Sequence, residues 1–153
     1  MAEIIDKIDL KILRILQSDS SRSLESISNE VGVSLNTCWR RISRLEKNSI
    51  IEGRVALIDN EKVGLPLTVF VSISTDDHSQ EWTKKLNNAV ISIKEIVEFY
   101  RLAGETDYIL KMMVKNVDHY DRVYKQLIKL VKISDVSASF AMEKIKFTTN
   151  LPI

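Results

Sequence analysis

Residues 24–47 read LESISNEVGVSLNTCWRRISRLEK, and the fold turns on how that stretch breaks. Leu24, Ile27 and Val31 recur at helical spacing, and Ser23 is placed to cap their first turn. Gly32 ends the helix. Val33 is an apolar plug, and Ser34 is placed to cap a further helix through Lys47. Helix, short glycine-containing turn, helix is the helix-turn-helix pattern.

The second of these helices gathers charge. Arg40, Arg41, Arg44 and Lys47 fall within eight residues, in a chain of 153 residues whose formal net charge is only +1. At roughly 100° per residue, Leu35, Cys38, Ile42 and Leu45 share one narrow arc, which is expected to be buried. Asn36, Arg40, Ser43, Arg44 and Lys47 lie opposite. Thr37 and Arg41 form one shoulder, Trp39 and Glu46 the other. An α-helix fits the major groove of double-stranded DNA, where Arg pairs with guanine edges and Asn with adenine edges. Asn36 and Arg40 sit in the N-terminal half, where base contacts are expected. Arg44 and Lys47 are expected on phosphates. Ser34, Thr37, Arg41 and Ser43 complete the candidate DNA-binding set. The alternative is a solvated face on an ordinary three-helix cluster, and Arg41 could equally be tied to an internal carboxylate. Cys38 reads as a small buried hydrophobe rather than a redox sensor. Trp39 either covers the edge of the domain or meets the DNA backbone.

Upstream, Ile5, Ile8, Ile12, Ile15 and Leu16 predict a first helix from Asp6 to Gln17. Downstream, residues 51–63 predict a short strand pair or an extended linker, and Gly64 marks a boundary. Strand patterns then cover LPLTVFVSIST, IVEFYRL, YILKMMV and VSASFAMEKIKF. Between them lie a helix after DDHSQ, carrying Trp82, Leu86, Ala89 and Val90, and a helix that Asp118 is expected to cap, carrying Tyr120, Val123, Leu127 and Val131. The order β-α-β-β-α-β is that of ferredoxin-like folds. The fold class is therefore α+β: a winged-type helix-turn-helix domain over 1–50, linker strands over 51–63, and a ferredoxin-like domain over 64–153.

Composition narrows the function. A hydrophobic fraction of 44% with 28% charged residues suits a soluble protein with a real core. A single Cys suits a reducing cytosol. No apolar run approaches the roughly 18 residues of a membrane span, and the first residues lack a signal-peptide pattern. A cytoplasmic protein is expected. His78 and His119 stand alone beside helix starts, no cysteine–histidine spacing suits zinc, and no glycine loop suits a phosphate. No metal, cofactor or catalytic constellation is expected. Glu105 and Asp107 sit two apart in the AGETD turn, where receiving a cationic ligand or bonding the turn backbone is a better reading than acid–base work. A metabolite-binding module that does not touch DNA, and a small enzyme on the ferredoxin-like domain, are the rival readings.

The segments IDKIDLKILRILQ, VGVSLNTCWRRISRLE, EKVGL and AGETDYIL, in this order and spacing, resemble the Lrp/AsnC (feast/famine) family of transcription regulators over nearly the whole chain. The resemblance implies a C-terminal domain of the RAM type that senses amino acids. It implies homodimers joined through the C-terminal sheets and assembled into tetramers or octamers, with small amino-acid effectors between neighbouring dimers. The loop equivalent to AGETDY nominates Gly104, Glu105, Thr106, Asp107 and Tyr108 as effector-binding residues, and the fold adds Ser137 and Ser139. NTCWRRISRLE, HSQEW and SFAMEKIKFTTNLPI are most similar to a cysteine-responsive branch, which makes cysteine the first effector expected. The family places Gly where this chain has Ser49. Asn48, which tolerates the left-handed region, is expected to take the positive φ instead.

Overall fold

The computed structural model describes residues 5–153; residues 1–4 lie outside the described part. The chain divides into two compact units, Met1–Leu57 together with Lys146–Ile153, and Ile58–Ile145.

In the first unit, α1 (Lys7–Ser18), α2 (Leu24–Val31) and α3 (Leu35–Lys47) pack around Ile12, Leu16, Ile27, Val31, Cys38, Ile42 and Leu45. Ser23 and Ser34 cap α2 and α3 by accepting from the N–H groups of Ser26 and Thr37. Gly32 ends α2 at φ 78°. Two expectations fail here. Leu35 is 51% exposed, because helical side chains lean toward the N-terminus and at the first helical position that direction leads off the end of the helix. Ser49 takes the left-handed conformation at φ 56°, whereas Asn48 stays at φ −92°.

Of the two readings of the stretch after α3, the structure shows the extended linker: among the described residues the first unit has no strand, and Val55 and Leu57 are exposed. A strand exists only through a ladder partner, and residues 51–57 meet none among the described residues. The tail Lys146–Ile153, assigned by pattern to the second domain, belongs to the first unit. It runs along α1: Gln17 donates to the Leu151 carbonyl at 3.0 Å, accepts from the Leu151 N–H at 2.9 Å, and Arg14 donates to the Ile153 carbonyl at 2.6 Å.

The second unit is a four-stranded antiparallel sheet in the order β2-β3-β1-β4, formed by β1 (Leu67–Ser74), β2 (Ile96–Arg101), β3 (Tyr108–Val114) and β4 (Asp135–Phe140). Helices α4 (Gln80–Ser92) and α5 (Val117–Leu130) complete the βαββαβ order. Period-2 alternation on β1 and β3 sends Val69, Val71, Ile73, Leu110, Met112 and Val114 into a core with Trp82, Leu86, Ala89, Val90, Val123 and Leu127. The opposite face, without helices, carries Phe70, Ser72, Ile109, Lys111, Ser137 and Ser139 in register. The last strand is shorter than its sequence pattern. Its final ladder bond is Ala141 N–H to Thr68 carbonyl at 3.0 Å, and beyond it the neighbouring chain reaches Pro66, which has no N–H to give. The cap of α5 is Asn116, whose Oδ1 accepts from the His119 N–H at 2.9 Å. Asp118, expected in that role, lies inside the first turn.

Candidate nucleic-acid interface and effector loop

α3 is a fixed platform. Its N-terminus is closed by Ser34, whose hydroxyl accepts from the Thr37 N–H at 3.2 Å and donates to Thr37 Oγ1 at 2.8 Å. Its buried face is anchored by Cys38, Ile42 and Leu45; burial pushes the Cys38 thiol above its ordinary pKa, which disfavours the reactive thiolate. Asn36, Arg40 and Lys47 are exposed, and Ser43 is half-buried between them. Among the described residues, Asn36, Arg40 and Lys47 are engaged in no ion pair or side-chain hydrogen bond. Trp39 is 57% exposed and borders a groove with Leu24, Ile27 and Ile42.

The other two cations of α3 point elsewhere. Arg41 Nη1 donates to Asp6 Oδ2 at 2.6 Å and to Asp9 Oδ1 at 2.8 Å. Arg44 Nη2 donates to Asp9 Oδ2 at 2.5 Å. The two acids form the capping box of α1: Asp6 accepts from the Ile8 and Asp9 N–H groups, and Asp9 accepts from the Asp6 N–H. The Asp9 N–H, followed by Arg41, holds the Asp6 carboxyl at about 2, below its ordinary 3.8. The Asp9 side chain is 0% exposed. The internal carboxylate envisaged for Arg41 is Asp9, which Arg44 shares; the half-exposed Asp6 is a second partner of Arg41.

The loop at 103–107 joins β2 to β3. Leu102 N–H donates to the Asp107 carbonyl at 2.8 Å, closing the turn. Asp107 Oδ2 accepts from the Thr75 N–H at 2.8 Å, and the Asp107 N–H donates to the Ile73 carbonyl at 3.2 Å, so the loop is tied to the end of β1. Gly104 and Glu105 are exposed, and Thr106 and Asp107 are half-buried. A Cβ at Gly104 would meet nothing within 4 Å, so the backbone there is open to a ligand. Tyr108 is a core residue, stacked on Phe99 at 5.5 Å and tilted against Trp82 at 5.9 Å. Ser137 and Ser139 lie on the open face of the sheet, opposite Ser72 and Phe70; β1 stands between them and β3, which carries the loop.

Asp6, Asp9 and Thr75 were not singled out from the sequence. The spacing of Asp6 and Asp9 before an apolar helix does carry a capping signal. Their pairing with Arg41 and Arg44, more than thirty residues away, has no local signature. Among the described residues no group of metal-ligating side chains occurs and no helix is long and apolar enough to cross a membrane.

Residues 5–46 match the AsnC-type helix-turn-helix domain, and residues 68–151 match the Lrp/AsnC ligand binding domain. The chain is 46% identical to the DNA-binding transcriptional activator DecR of Escherichia coli K12, over 97% of this chain and 99% of that one. It is also 46% identical to the glutamate uptake regulatory protein of Zymomonas mobilis, over 97% and 91%. Its structure superposes on an AsnC family transcriptional regulator from Agrobacterium tumefaciens with a TM-score of 0.93 at 48% identity, covering 96% of both chains. A transcriptional regulator of Neisseria meningitidis, solved with L-methionine, gives 0.92 at 30% identity, covering 97% of both. The chain belongs to the Lrp/AsnC family: it is a DNA-binding transcriptional regulator that joins an AsnC-type helix-turn-helix to an amino-acid-binding domain.

Proposed function

We propose that a homodimer of this chain reads two half-sites of duplex DNA with α3 of each copy, and that a small free amino acid at the 104–108 loop resets that binding. The exposed stripe Asn36, Arg40 and Lys47 carries the first part of the reading. Asn36 and Arg40 lie where base edges are read, and Lys47 lies where a phosphate is met. Ser34, Thr37 and Ser43 line the same side. The protein acts in the cytoplasm, on the chromosome, and dimers associate into tetramers or octamers.

The effector reading rests on chemistry. A free amino acid brings an ammonium and a carboxylate, and each must find opposite charge or several hydrogen bonds when it leaves water. The bare backbone at Gly104 offers N–H groups to the carboxylate. Asp107 spends Oδ2 on Thr75; its second oxygen is assigned to the ammonium. Ser137 and Ser139 are assigned to the effector's surroundings across neighbouring dimers. Cysteine is the first candidate from the sequence resemblance, methionine the second from the Neisseria complex, and glutamate the third.

Calorimetric titration with cysteine under reducing conditions, then methionine and glutamate, tests the sensor. One of them should bind the wild-type protein and change its affinity for duplex DNA. Asp107→Asn keeps an oxygen for the Thr75 N–H and should keep fold and basal DNA binding, while effector affinity falls at least tenfold, or about 1.4 kcal/mol. Equal affinity in both proteins would remove Asp107 as the ammonium partner.

A further inference from the structure

Resting on the reading of α3 as the DNA-facing helix, we infer that Asp9 is a specificity-determining residue: it withdraws Arg41 and Arg44 from the DNA phosphates and leaves the interface to Asn36, Arg40 and Lys47. α3 carries four cations, yet only Arg40 and Lys47 stand exposed without a carboxylate partner among the described residues. Asp9 accepts from both remaining guanidiniums, at 2.8 and 2.5 Å, with a side chain that solvent does not reach. A buried carboxylate is tolerated only while paired. Were Arg41 and Arg44 both to swing to phosphates, Asp9 would lose both of its cationic partners. Asp6 strengthens the hold on Arg41 at 2.6 Å, and the reciprocal capping bonds fix both acids at the entry of α1.

The consequence lies in the balance between specific and non-specific binding. Each phosphate contact adds affinity for every sequence alike and steepens the salt dependence, by a slope of about 0.9 per contact. Contacts to base edges add affinity for one sequence only. A helix with all four cations on phosphates would grip any duplex. Pairing two of them with Asp6 and Asp9 lowers that background and leaves the base contacts of Asn36 and Arg40 to decide where the protein stays.

The test compares full-length wild type with Asp9→Asn, Arg44→Gln, Arg40→Gln and Lys47→Gln. Two duplexes serve as probes, one recovered by in vitro selection with the wild-type protein and one of scrambled sequence, each titrated from low to moderate salt. Lys47→Gln should flatten the salt slope by about 1, and Arg40→Gln should shrink the ratio between the two probes. Arg44→Gln should leave it unchanged. Asp9→Asn, if folded by circular dichroism, should steepen the slope by about 1, raise affinity for the scrambled duplex about threefold at low salt, and shrink the ratio between the two probes. Should Asp9→Asn fail to fold, Arg44→Gln decides alone. A flattened slope in Arg44→Gln, or an unchanged slope and ratio in folded Asp9→Asn, overturns the role of Asp9 while the interface stands. Unchanged binding in both Arg40→Gln and Lys47→Gln removes the interface itself, and this inference with it.

Discussion

Ser49 is the only non-glycine residue at positive φ among the described residues, at 56°. For an L-residue that region costs about 1 kcal/mol, which glycine avoids. The conformation is held because the N–H groups of Ile50 and Ile51 both return to the Leu45 carbonyl, at 2.9 and 3.1 Å, closing the end of α3. Ser49→Gly is expected to raise stability by about 0.5–1 kcal/mol, read as a higher urea midpoint at unchanged m-value. Glycine's looser unfolded chain keeps the gain at the low end. Asp6 makes a second residue-scale case. Its carboxyl sits at about 2 when folded against 3.8 ordinarily, so the unfolded chain takes up the proton first as pH falls. Its contribution is complete above pH 3.8 and is lost as pH falls through that value toward 2. Thermal unfolding of Asp6→Asn should accordingly vary less with pH across this window than that of the wild type.

Elements were legible to the degree that their determinants were local. Ser23, Gly32 and Ser34 act within three residues of where they stand, and α2 and α3 fall where those residues placed them. β1 and β3 alternate cleanly, so their core faces were readable. What escaped depended on distant partners. The strand pair after α3 needed a ladder that residues 51–57 do not find. β4 stops where Pro66 ends its partner. The buried Asp9 was invisible because nothing near it in sequence announces Arg41 and Arg44. On α3, the exposure of Asn36, Arg40 and Lys47 was readable from helical angle alone, whereas the pairing of Arg44 was not. α5 shows how a local signal misleads: Asp118 and Asn116 are both capping types, and only backbone geometry separates them. Asn116 is extended, at φ −165°, and its side chain reaches His119. Asn116→Ala should therefore cost about 1 kcal/mol, and Asp118→Ala a few tenths through the helix dipole alone. Chemical denaturation of the two variants side by side separates them.

At the scale of the whole molecule, the question is what covers the open face of the sheet. Phe70 and Tyr100 are exposed there, with the Lys111–Glu98 ion pair at 2.7 Å between strands. The proposed dimer, if built on that face, needs about 800 Å² from each partner for a standard interface. Phe70 pairs across the ladder with Lys111 and Ser139, so Phe70→Asp places a carboxylate beside a lysine without disturbing the core. Sedimentation at micromolar concentration should show the wild type as a dimer or larger and Phe70→Asp shifted to the monomer. A variant that sediments like the wild type would move the dimer contact elsewhere.

The first compact unit is discontinuous in sequence, for the tail that lies along α1 follows the second unit in the chain. Gln17 and Leu151, joined by two reciprocal bonds, are 134 residues apart. At about 5–20 residues per second of ribosomal synthesis, Gln17 waits on the order of 7–30 seconds for its partner to be made. During that interval α1, α2 and α3 already possess their whole apolar core. The nascent chain thus holds every core residue of these three helices before the second unit exists, and Gln17 lacks its partner until Leu151 is made.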